Sequence, residues 1–153
     1  FAHDLPQPVR GAAAHELLVR SANTALVGRC LLDSPTLVKN YFKVHFAGAE
    51  RETFVVVFLD SQMRVIASEE LFAGTLQQTS VYPREVVKRA LHHNAGGVIF
   101  GHPHPSGQCE PSRADEFLTQ TLKSALSLVD VRVLDHMVVS GSTCTSFAER
   151  GLL

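Results

Sequence analysis

The sequence predicts one α/β domain, a mixed sheet flanked by helices. Three observations lead there. Residues 53–59 (TFVVVFL) form an unbroken β-branched and aromatic run, as expected of a strand covered on both faces. Amphipathic helical stretches alternate with shorter apolar runs in the order α-α-β-β-α-β-α-β. The chain has 153 residues, 45% apolar and 19% charged, which is enough for one hydrophobic core and excludes a disordered chain.

Residues 1–11 carry Pro6, Pro8 and Gly11 and read as a loose lead-in. From residue 12 to about 32 the pattern is helical, with Leu17, Leu18, Ala22, Ala25, Leu26 and Cys30 on one broad face. Ser34 is expected to cap a second helix, with Pro35 at its first position. That helix runs to about residue 46, turns Leu37, Val38, Tyr41 and Phe42 inward, and stops at Gly48. The strand over 53–59 then turns at Asp60-Ser61-Gln62 into a second strand beginning over 64–67, a hairpin. Gly74 marks a bend before residues 76–81.

Pro83 opens a helix through about residue 93, with Val86, Val87, Ala90 and Leu91 apolar, and Asn94-Ala95-Gly96-Gly97 ends it. Residues 98–100 form a short buried strand, followed by a loop rich in Gly, Pro, His and Ser through Pro111. Ser112 caps the next helix, whose first turn holds Asp115 and Glu116 and whose apolar positions are Phe117, Leu118, Leu122, Ala125, Leu126 and Leu128. A strand over 131–139, a turn at Gly141 and a tail over 146–153 complete the chain.

Charge and cysteine usage narrow the function classes. Fourteen Lys and Arg oppose fifteen Asp and Glu, so no global electrostatic footprint for nucleic acid or an anionic membrane exists. Three scattered cysteines make no disulfide framework. No apolar run approaches the roughly 20 residues of a membrane span and no signal peptide is visible, so a cytoplasmic location without a membrane partner is expected. The chain opens on Phe1 rather than Met, and is expected to be either an excised piece or the C-terminal part of a longer protein.

One stretch carries chemistry: His102-Pro103-His104-Pro105-Ser106-Gly107, then Ser112-Arg113-Ala114-Asp115. Each proline pushes the histidine before it towards extended backbone. Residues i and i+2 of an extended chain project to one side, so both imidazoles can converge. Asp115, in the first turn of the following helix, can face back across the loop. Two imidazoles and a carboxylate leave a fourth position for water, the arrangement of a catalytic zinc site. Taken singly, each has a blander reading: an exposed loop histidine, or Asp115 completing a capping box with Ser112.

His102-x-His104, seven residues, Ser112, two residues and Asp115 resemble the JAMM (MPN+, JAB) metalloprotease motif residue for residue. The context is similar to the RadC branch: Tyr82-Pro83-Arg84-Glu85, Asn94-Ala95, His104-Pro105-Ser106-Gly107, Glu110-Pro111-Ser112, Leu134-Asp135-His136 and Ser146-Phe147-Ala148-Glu149. The resemblance implies a JAMM/MPN-like, cytidine-deaminase-like domain over residues 34–153, preceded by a helical lead-in over 1–33. That lead-in lacks the Gly-rich hairpins of the helix-hairpin-helix segment which RadC-type proteins often carry. One departure stands inside the motif, where Pro103 replaces the usual Asn and removes a side-chain donor.

The resemblance also implies Zn2+ as cofactor, held by His102, His104 and Asp115, and a catalytic Glu ahead of the first strand. Glu52 fits best; Glu50 shares its side if the chain is already extended there, and Glu69 and Glu70 are further candidates. Glu52 would exchange a proton between water and the leaving nitrogen, and Ser112 would stabilise the oxyanion. The substrate class implied is an amide in a peptide or protein, including the isopeptide bond of a ubiquitin-like modifier. Cys109 lies in the loop between the ligands and is a candidate for the open zinc position. His136 is read as a core histidine, His92 and His93 as helix-end residues, and Cys30 and Cys144 as apolar fillers.

Two other classes compete. RadC-type proteins have been labelled DNA repair factors, and Arg84, Lys88 and Arg89 could contact phosphates in a DNA-associated protein or a metal-dependent nuclease. A scaffold without catalysis ranks last, because all three ligand residues are present.

Overall fold

The computed structural model describes residues 7–74 and 80–153. Helix α1 spans Gln7–Leu26 and starts five residues earlier than the sequence suggests. Pro8 falls in its first turn, where a missing N–H costs no helical hydrogen bond. The helix also stops well before residue 32, because Gly28 takes a left-handed backbone (φ 84°) and Cys30 pairs as an isolated bridge with Arg64. Its expected broad face is narrower than expected: Leu26 is fully buried, whereas Leu17 and Leu18 are 64% and 61% exposed.

Helix α2, Leu37–His45, begins after Thr36 rather than after Ser34, with no side-chain cap. Val38, Tyr41 and Phe42 are buried as the sequence predicts. Strand β1, Thr53–Leu59, pairs antiparallel with β2, Val65–Ala73, the hairpin the sequence predicts. Gly74 directly follows the end of β2, and the segment expected over 76–81 lies largely on residues 75–79, outside the described residues. Helix α3 is Pro83–His92, and β3 runs Gly97–Pro103, carrying the strand through His102 instead of stopping at Phe100.

Helix α4, Arg113–Ser127, leads to β4, Arg132–Ser140, and a short β5, Thr143–Ser146. The sequence reading missed β5, whose four residues (TCTS) show no apolar alternation and are defined by their pairing with β4 at the sheet edge. The order is β2-β1-β3-β4-β5, with β3 and β4 parallel and the other neighbours antiparallel. The mixed α/β class is therefore as the sequence predicts.

Alternation along β1 divides the interior. Val55, Val57 and Leu59 pack with Leu26, Phe42 and Phe46 on the α1–α2 side. Phe54, Val56 and Phe58 pack with Val86, Ala90, Leu122 and Leu126 on the α3–α4 side. On α4 the inward row is Leu118, Leu122 and Leu126, and of the apolar positions noted in the sequence Phe117 and Leu128 stay at 76% and 86% exposure. Among the described residues no helix is long and apolar enough to cross a membrane.

Cys144 packs, partly buried, against the α1–α2 core. Burial pushes its thiol up to about 11. Only about a thousandth of it is thiolate at pH 8, and the thiolate is the nucleophile. A thiol-directed alkylating agent at pH 8 is therefore expected to modify Cys144 slowly in the native protein and fast after unfolding, with native labelling rising about tenfold per pH unit. Rapid native labelling at pH 8, read by peptide mass spectrometry, would contradict this burial.

Candidate metal centre

In β3, Val98, Phe100 and His102 share the face turned to α3 and α4, as side chains two apart must. His104 follows the same alternation, and its N–H donates to the Val139 carbonyl at 2.9 Å, so extended backbone continues past the strand. By that parity the nitrogen of Pro103 faces away from β4, beyond Gly101, the last residue of β3 paired with β1. The proline therefore costs the sheet no hydrogen bond.

The third group comes from α4. Ser112 is its N-cap, with Oγ accepting from Asp115 N at 3.0 Å and Asp115 Oδ2 accepting from Ser112 N at 2.9 Å. This reciprocal box fixes the carboxylate in the first turn. Asp115 thus fills both roles the sequence left open: it caps the helix and faces the histidines. Its Oδ2 lies 3.0 Å from His104 Nε2 and its Oδ1 3.2 Å from His102 Nε2. The two Nε2 atoms are 3.1 Å apart, and one donor atom from each of the three residues lies within 4.8 Å of the others.

Electrostatics agree with this convergence. Burial raises the Asp115 carboxyl, but the two adjacent imidazoles and the Ser112 N–H outweigh it and hold the group well below the usual carboxylate range. The Asp115 contact raises His104, against the opposing effect of burial. Two ring nitrogens and a carboxylate oxygen facing one point form a donor set that suits a divalent cation such as zinc. His104 Nδ1 lies 2.8 Å from the Gln108 carbonyl, which leaves Nε2 of a neutral ring as the atom free to meet a cation.

Glu52 lies on the wall of the same site. A cleft of about 550 Å³ is lined by Glu52, His104, Ser106, Gln108, Ser112 and Asp115, among others. A recess of about 40 Å³ reaches inward between Glu52, Phe54, His102 and Asp115, large enough for a water molecule. Glu50 instead lines a different cleft, of about 940 Å³, with His45 and Glu70. Glu69 pairs with Arg89 at 2.6 Å and with His93 at 3.1 Å, and Glu70 lies 3.6 Å from His45. Cys109 is absent from both the ligand group and the lining of this cleft among the described residues.

Sequence reasoning missed two residues against this site and undervalued a third. His136, on β4 opposite Phe100, is fully buried and places Nε2 2.7 Å from His102 Nδ1. Thr119, one turn after Asp115, lies 2.6 Å from His136 Nδ1, and the four-residue spacing was the available signal. Gln108 supplies only its backbone carbonyl, so no side chain announced it.

A mixed sheet covered by helices, with a His-x-His pair at the end of a central strand and Ser-x-x-Asp at the next helix start, defines the JAB class of domains. Residues 32–152 match the family model of the RadC-like JAB domain, and the chain belongs to that family. It is 58% identical over 141 residues to a UPF0758 protein of Variovorax paradoxus, covering 92% of this chain and 63% of that protein. A UPF0758 protein of Acidovorax sp. is also 58% identical, over 92% of this chain and 59% of the relative. One from Nitrosospira multiformis is 57% identical, with 92% and 63% covered. The chain thus spans about three fifths of the length of these relatives.

Proposed function

We propose that the domain is a zinc-dependent hydrolase that cleaves amide bonds in peptide or protein substrates, including the isopeptide bond to a ubiquitin-like modifier. The observation that carries this reading is the convergence of His102, His104 and Asp115 on one point beside a recess walled by Glu52. A zinc ion held by these three residues would acidify a bound water and polarise a carbonyl. Glu52 takes the proton of the attacking water and delivers it to the leaving nitrogen. Ser112 Oγ accepts from Asp115 N, which leaves its hydroxyl proton to donate to the developing oxyanion. The three cysteines are free, which suits a reducing compartment, and we place the protein in the cytoplasm.

Phosphodiester cleavage is the competing chemistry, and two observations disfavour it. It more often uses two metals, and a single ligand cluster is found among the described residues. The basic residues of α3 are also partly neutralised: Arg89 is bound to Glu69, while Lys88 and Arg84 share Glu85 at 3.3 and 3.7 Å.

Purified protein is expected to bind about one zinc per chain, and His102→Ala or His104→Ala to lose it. Metal analysis paired with peptide, modifier-conjugate and DNA hydrolysis assays tests the reading. Zinc-dependent DNA cleavage that vanishes in His104→Ala, with no amide hydrolysed, would replace it with a nuclease.

A further inference from the structure

We propose that His136 and Thr119 form a buried relay that fixes the tautomer of His102, so that its Nε2 lone pair faces the metal. The inference rests on the metal-site reading above and assigns work to two residues outside the ligand set.

The argument is a count of protons. Thr119 has one hydroxyl proton, and its Oγ donates to the backbone carbonyl of Asp115 at 2.7 Å. A carbonyl only accepts, so that proton is committed. Towards His136 Nδ1, 2.6 Å away, the Thr119 oxygen must therefore accept, and Nδ1 carries hydrogen. His136 is fully buried among Phe54, Phe100 and Phe147, a setting that favours the neutral ring. A neutral ring protonated at Nδ1 has a lone pair at Nε2, which accepts from His102 Nδ1 at 2.7 Å. A neutral His102 holding its hydrogen at Nδ1 presents an unprotonated Nε2, the atom that faces His104 and Asp115.

The relay begins and ends on the site. Asp115 offers its side chain to the metal and its carbonyl to Thr119, so the helix turn that places the third ligand also sets the tautomer of the first. The fold holds His136 firmly in place. Asp135 accepts from His136 N at 2.7 Å, from Ala148 N at 3.0 Å and from Ser146 Oγ at 2.5 Å. These bonds seat Phe147 on the His136 ring, with centroids 4.6 Å apart and planes at 21°. Asp135, His136, Ser146 and Phe147 thus acquire a purpose that the ligands alone do not give them.

The test combines nitrogen-15 imidazole spectra of the metal-free protein with zinc affinity measured by chelator competition. In the wild type, His136 and neutral His102 are expected to be protonated at Nδ1. His136→Leu should weaken zinc binding about 10- to 100-fold, the range for outer partners of metal-bound histidines. His136→Gln, whose amide can accept from His102 and donate to Thr119, should recover part of it. Thr119→Val should release the His136 tautomer in the spectra and weaken zinc, while Thr119→Ser should do neither. The Thr119 pair keeps the test decisive if His136→Leu does not fold. Neutral His102 protonated at Nε2, or folded Thr119→Val with an unchanged His136 tautomer and zinc affinity, would overturn the relay. A wild type with the expected tautomers but no zinc affinity would instead overturn the metal-site reading.

Discussion

Glu52→Gln is expected to retain about one zinc per chain and to lose amide hydrolysis by about 10²- to 10⁴-fold, the usual contribution of a positioned acid–base group. Glutamine keeps the shape of the side chain and its place on the cleft wall but cannot take up the proton. Metal content should be unchanged, because the converging donors belong to His102, His104 and Asp115. Glu50→Gln is the matching control. It changes a side chain two residues away that lines the other cleft, and it should leave turnover near wild type. An active Glu52→Gln beside an inactive Glu50→Gln would mean that the base reaches the site from the other face. Loss of zinc in Glu52→Gln would move Glu52 from proton transfer to metal binding.

The contrast between those two glutamates shows what the sequence could and could not tell. Residues 53–59 were legible as a strand because all seven side chains suit a covered sheet, and alternation alone then sorts Val55 from Phe54. The residues just before the strand carry no such pattern, so which of Glu50 and Glu52 faces the histidines depended on where extension begins. His102, His104, Ser112 and Asp115 were legible because proline-enforced extension and helix capping are local rules, which act within a few residues of the groups they place. His136 was undervalued for the opposite reason. Its neighbour His102 is 34 residues away, and their contact depends on the register of β3 with β4, which no local rule specifies. The edge strand β5 escaped for the same reason, as pairing rather than composition defines it. The early start of α1 is a different kind of miss, since two prolines and a glycine suggest a loop until the first turn is seen to accommodate Pro8.

Gly101→Ala is expected to destabilise the fold by about 2–3 kcal/mol, towards the upper end of what one extra methyl costs in a packed interior. A glycine inside a strand ordinarily weakens it, so at an open position alanine would raise stability. Gly101 is not open. A Cβ there would lie 2.5 to 2.7 Å from three ring carbons of Phe42, well inside contact distance. The ring has little room to withdraw, being fully buried and stacked on Phe46 with centroids 5.7 Å apart. Relief must therefore come from α2 or from β3, and movement of β3 carries His102, the next residue, with it. Urea unfolding measures the loss as a fall in midpoint at constant slope. Phe42→Leu costs stability by itself but removes ring atoms from the contact. The double variant should therefore be more stable than the sum of the two single losses, a coupling expected only of residues that touch. A Gly101→Ala protein as stable as the wild type would show that β3 and α2 stand further apart than the structure places them, and the seat of His102 would have to be drawn again.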